Sequence, residues 1–144
     1  MFRLNFISKP NQRPAMSPAN PSVSKAARWT GYIMSLLPVL LLTFSGIMKL
    51  AHPPGLDEGF AHLGLPLRHA LALGILELAC VIVYLVPRTA VLGAILLTGY
   101  LGGATAIHVR VGDPFFATPL TGILIWGGLY LRDPRLRALI PFTR

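Results

Sequence analysis

The residue in this chain whose position demands most explanation is Glu77, which lies near the middle of an apolar segment, residues 66–86, that contains no other acid. A carboxylate at the centre of a bilayer costs about 2.5–3.5 kcal/mol on insertion scales, so it must turn away from lipid and be paired or protonated. Ala70, Gly74, Cys80, Val81 and Tyr84 share its face at helical spacing. The cations that flank it come from other segments. Lys49 closes the first apolar run, His69 opens the second, and His108 and Arg110 close the third.

Lys49, Glu77, His108 and Arg110 form the candidate polar site. Histidine titrates near neutrality and arginine supplies a fixed charge beside a carbonyl or an anion. A graded polar path from the surface to mid-membrane therefore suits a quinone head group or a proton, and a purely structural network would use the same residues. His69, Lys49, His108 and Arg110 are expected at similar depth, with Glu77 two turns or more below them. A direct bond from Glu77 to Lys49 or His108 then requires a tilt, a kink or water. Lys49 itself has two options, snorkelling to the surface or entering a buried ion pair. No metal site is expected, since His69 and His108 lack a companion pair or an HxxxH spacing. The types of these residues identify no catalytic group.

Four apolar segments must position that cluster. The most regular is residues 89–110, TAVLGAILLTGYLGGATAIHVR, uncharged from Thr89 through Ile107 and long enough at 1.5 Å per residue to cross a hydrocarbon core of about 30 Å. On a helical wheel Ala94, Thr98, Gly99, Gly102, Gly103, Thr105 and Ala106 occupy about half the circumference, and Gly99 and Gly103 make a GxxxG. Small residues let neighbouring backbones approach closely in lipid, so this face is expected to point into the bundle. The opposite half carries Leu96, Leu97, Tyr100, Leu101 and Ile107.

The first helix is expected over residues 29–50, kinked by Pro38, and the second over 66–86. Pro87, Arg88 and Thr89 leave room only for a tight connection, which makes the second and third helices antiparallel neighbours. The fourth is expected over 115–131. Between the first two, Leu56, Phe60 and Leu63 recur at helical spacing, which fits a short surface helix able to lid the bundle, although a connection of 15 residues equally fits a simple loop. Trp29, Tyr32, Trp126 and Tyr130 read as interfacial anchors. Residues 1–28, with four prolines and five bases, are expected to be a flexible tail, and residues 142–144 a short terminal one. Met16 is an alternative start, and no secretory signal pattern precedes Trp29.

With 53% apolar and only 12% charged residues in 144, the composition is that of one small membrane domain. The net charge of +8 does not imply nucleic acid, because the bases cluster at the ends of apolar runs. Ten of the 13 fall on one side of a four-span topology, so both termini are expected in the cytoplasm, as positive-inside topology requires. The single cysteine, Cys80, excludes an intramolecular disulfide and a CxxC centre.

In order along residues 29–141, the pieces SGIMKL, HLGLP, GILEL, VPRTAVLGA, LLTGYLGGATAIHVR and WGGLYLRD resemble the DoxX-like family of membrane proteins. The resemblance implies an all-α, four-helix transmembrane bundle in the bacterial cytoplasmic (inner) membrane, similar to the DoxD subunit linked with thiosulfate:quinone oxidoreductase. It implies at most a quinone-linked oxidoreductase subunit that works with a membrane protein partner. The alternative is a non-catalytic subunit that docks through its glycine-rich helix faces onto a larger membrane complex. Lys49, Glu77, His108 and Arg110 are the polar positions that fit the family pattern.

Overall fold

The computed structural model describes residues 24–139, and these are helical throughout apart from short connections. Helix α1 spans Lys25–Ala51. The short α2 spans Leu56–His62, a 3-10 turn covers Leu67–His69, and α3 spans Ala70–Leu85. Helix α4 spans Ala90–Val111, α5 spans Ala117–Arg132, and a last short helix, α6, spans Pro134–Leu139. The expected tails over 1–23 and 142–144 lie outside the described residues. The first helix, however, begins four residues before Trp29, because the Ser24 hydroxyl caps it by accepting from the Ala27 amide at 3.2 Å.

Helices α1, α3 and α4 are long and apolar enough to cross a membrane. At 16 residues α5 is about 24 Å long, the same as α3, but α3 is extended by the 3-10 turn to a continuous stretch of 19 residues. The ring closes through it: α1 packs against α3 and α5, and α4 packs against the same two. This is the up-down order expected from short connections. In α1 the buried positions Gly31, Ser35, Pro38, Leu42 and Gly46 follow one stripe, while Ile33, Leu36, Leu37, Leu40, Phe44 and Ile47 point outward. Such a surface is unstable in water and suits hydrocarbon.

The two ends of the ring are built differently. At the hairpin end, where residues 86–89 join α3 to α4, Tyr84 is fully buried, its hydroxyl donating to the Ile125 carbonyl at 3.1 Å and lying 2.9 Å from Ser35 Oγ. Gly93 lies against the Tyr84 backbone, and Gly128 lies against Ser35 and the Gly31 carbonyl, with no room for a Cβ in either place. Close backbone approach through small residues is therefore what fixes this end. The Arg132 guanidinium covers the Tyr84 ring at 4.9 Å and the Tyr32 ring at 5.6 Å. Helix α6 had no counterpart among the expected elements, because residues 134–139 are too few and too basic to show an apolar period.

The inner face of α4 is not the one its glycines suggested. Ala90, Gly93, Ala94, Leu97 and Leu101 are buried, whereas Thr98, Gly99, Gly102, Gly103 and Ala106 are exposed. Leucine packing and the one tight crossing at Gly93 set the rotation of the helix, and the GxxxG pair is left with open space beside it.

Candidate polar site in the bundle

Glu77 faces inward, as its cost in lipid requires, and is almost completely buried at 1% exposure. Its carboxylate accepts from Lys49 Nζ at 2.8 Å and from Ser45 Oγ at 3.3 Å, and Lys49 Nζ also donates to Ser45 Oγ. Lys49 and Glu77 are therefore in direct contact at 2.8 Å, with no water between them. Helical side chains lean toward the N-terminus of their own helix, and for Lys49 that direction is down α1, toward Ser45 one turn below. The four-carbon stem then covers the remaining depth. Lys49 thus enters the buried pair and does not snorkel.

A desolvated ion pair of this kind contributes little net stability, yet losing one partner costs about 3–5 kcal/mol. Its retention in the apolar part of a small bundle is better explained by what it faces. The pair is part of the wall of a partly open cavity of about 420 Å³ lined by residues of α1, α3, α4 and α5, with Phe60 of α2 also in the lining. Leu41, Leu42, Leu73 and Leu76 supply apolar walls, and Thr118 and Thr121 supply hydroxyls from α5. Pockets of this size and polarity take small ligands with a few polar groups.

His108 also lines the cavity, with its Nδ1 3.5 Å from Asp113 Oδ2 and making no hydrogen bond. The other two expected members lie elsewhere. His69 is exposed in the 3-10 turn, outside the cavity lining. Arg110 is exposed and donates to the Leu63 carbonyl at 2.6 Å, so it holds the chain at the end of α2. Gly64, in the left-handed region at φ +65°, brings that chain within reach of the Arg110 guanidinium.

Tyr100 was placed on the wrong half of its helix by the glycine pattern. It lines the cavity and interacts with the Glu77 carboxylate. The missed signal was register: Glu77 lies ten residues before Pro87 and Tyr100 twelve after Arg88, so a tight hairpin sets them within a turn of each other.

The lid expected from the Leu56, Phe60, Leu63 spacing is present. Phe60 is buried at 5% exposure and, with Leu63 and Leu65, covers the cavity. Its latch is ionic. His62 Nε2 lies 3.0 Å from both Asp113 carboxylate oxygens, and these contacts, reinforced by His108, hold the Asp113 carboxyl below the usual aspartate range.

Among the described residues no group of three or more His, Cys, Asp and Glu side chains is placed to hold a metal ion. Trp126, read as an interfacial anchor, donates to Thr98 Oγ1 at 2.8 Å and so also ties α5 to α4. No curated protein and no solved structure matched the chain. A family model described as the DoxX-like family matches residues 20–127. That match runs from before α1 through most of α5 and takes in every helix that contributes to the cavity, so this integral membrane protein belongs to the DoxX-like family.

Proposed function

We propose that the chain is a quinone-binding membrane subunit, with the head group taken up in the cavity beside the Lys49–Glu77 pair. The observation that carries this reading is the buried Lys49–Glu77 pair among the lining residues of a mostly apolar cavity of about 420 Å³. Lys49 brings donors and positive charge to a carbonyl oxygen, and Tyr100 brings a phenol. His108 lines the same cavity and adds an imidazole ring to its wall. Glu77 holds Lys49 in place and is positioned to accept or release a proton. When bound, a quinone supplies two-electron redox chemistry, and electrons pass between it and a protein partner.

Among the described residues, Lys25, Arg28, Arg88, Arg132, Arg135 and Arg137 at the hairpin side support a cytoplasmic position for both termini, with the lid on the opposite surface. The test is quinone binding to the chain in nanodiscs, followed by calorimetry or quenching of intrinsic fluorescence. Glu77→Gln and His108→Ala are each expected to weaken binding, Glu77→Gln by tenfold or more, equivalent to about 1.4 kcal/mol. Unchanged affinity in both variants would reject the reading.

A further inference from the structure

The GxxxG of α4 neither packs inside the bundle nor lies far from the cavity: Gly99 and Gly103 both line it while remaining exposed. A Cβ on either would meet nothing within 4 Å. At the other end of the same helix pair, Gly93 touches the Tyr84 backbone so closely that no side chain fits. Helices α3 and α4 are therefore in backbone contact near the hairpin, whereas no atom fills the space beside α4 at Gly99 and Gly103. Leu73 and Leu76 of α3 line the same cavity, with Leu76 at 51% exposure. Three of these four lining residues, Leu76, Gly99 and Gly103, are thus also exposed on the outer surface of the bundle.

The opposite route, from water, is covered. Phe60 is buried over the cavity and α2 is fastened at two points, His62 to Asp113 and Arg110 to the Leu63 carbonyl. A solute arriving from the aqueous phase meets a closed lid, whereas a molecule dissolved in the bilayer meets an opening with apolar rims. Desolvation favours the same route, since an alkyl or isoprenoid chain leaves hydrocarbon for hydrocarbon at almost no cost.

We infer that the cleft between Leu73 and Leu76 of α3 and Gly99 and Gly103 of α4 is a lateral portal and tail-binding subsite, through which a membrane-dissolved amphiphile with a long apolar chain places its head in the cavity. The inference rests on the quinone reading for the head group and adds the chain, which the ion pair does not select. Glycine at positions 99 and 103 keeps the rim thin enough for a chain to lie across it.

The experiment uses the full chain in nanodiscs and two quinones with the same head, one bearing a decyl or isoprenoid tail and one bearing only a methyl group. Gly99→Leu and Gly103→Leu fill the cleft without touching the polar pair, and unchanged thermal melting shows that the fold is retained. The tailed quinone is expected to lose at least tenfold more affinity in these variants than the tailless one does. Equal affinities for the tailed quinone across all three proteins would overturn the portal and leave the head-group site standing. A second readout does not need a quinone: a membrane-dissolved alkyl chain carrying a diazirine is expected to label residues lining the cleft, and to lose that labelling in Gly103→Leu. Labelling indifferent to Gly103→Leu would overturn the portal. So would a larger assembly that Gly99→Leu disperses without changing tailed-quinone affinity, because the glycine face would then be a protein-docking surface.

Discussion

The hairpin end and the lid end of this bundle use the same residue types for opposite purposes. At the hairpin, glycine removes side chains so that backbones touch, and the one buried tyrosine, Tyr84, has its hydroxyl bonded to Ser35 and Ile125. Toward the lid, Gly46 and Gly74 still bring α1 and α3 together, but beside Gly99 and Gly103 of α4 nothing fills the space, and Tyr100 lines a cavity together with Glu77. One end is a close-packed joint and the other holds open volume around a costly ion pair. The difference teaches that small residues in a membrane helix do not by themselves mark a helix interface. They mark places where bulk is excluded, and only the neighbours decide whether another helix or a ligand benefits.

The comparison is broken most severely at the joint. Gly93→Leu is expected to prevent stable folding, because the new side chain meets the Tyr84 backbone, and overpacking that cannot relax exceeds the usual cost of about 1–3 kcal/mol. Gly103→Leu, on the same helix, is expected to change stability by less than about 0.5 kcal/mol. Thermal unfolding of both variants in one detergent measures the contrast, and equal losses would show that the two ends are not distinct.

A smaller but more informative effect separates stability from ligand binding at the lid end. Glu77→Gln leaves Lys49 with Ser45 alone and is expected to destabilise by about 3 kcal/mol, within the range for a broken buried pair. Replacing both partners, Lys49→Met with Glu77→Leu, is expected to restore stability to within about 1 kcal/mol of the original, since an apolar pair of similar volume is often neutral. The double variant should still fail to bind quinone. If it instead remained as unstable as Glu77→Gln, the pair would be a structural fastening and not a retained ligand site.

The smallest expected effect concerns the lid. Asp113→Asn weakens an exposed His62 contact and is expected to leave global stability almost unchanged. It should nonetheless speed amide hydrogen exchange over residues 56–62. The pH dependence follows from the depressed carboxyl of Asp113: the stabilisation is present above the ordinary aspartate range and is lost as pH falls through the lowered value. Lid protection that stayed constant down to that acidity would place the fastening on Arg110 alone.

Much of the ring was legible from residue order. The inward face of α3 carries the set named around Glu77, namely Ala70, Gly74, Cys80, Val81 and Tyr84. Its period is strict because one acid on an apolar rod leaves a single acceptable orientation. The turn at residues 86–89 and the lid at Leu56, Phe60 and Leu63 were equally readable, from proline punctuation and amphipathic spacing. The face of α4 was not. Both halves of that helix are apolar, lipid accepts either one, and hydropathy gives no torque about the axis.

By itself, then, the sequence determined that there are four apolar rods, that two of them form a tight antiparallel pair, and that an acid must be hidden among them, because each of these follows from local covalent order and the price of charge in hydrocarbon. Only the tertiary structure decided that Lys49 is the partner, that Arg110 serves the lid, and that Gly99 and Gly103 border a void. Those outcomes depend on the rotation and splay of whole helices against one another. Packing sets these angles through contacts far apart in the chain, and no periodicity within a single helix encodes them.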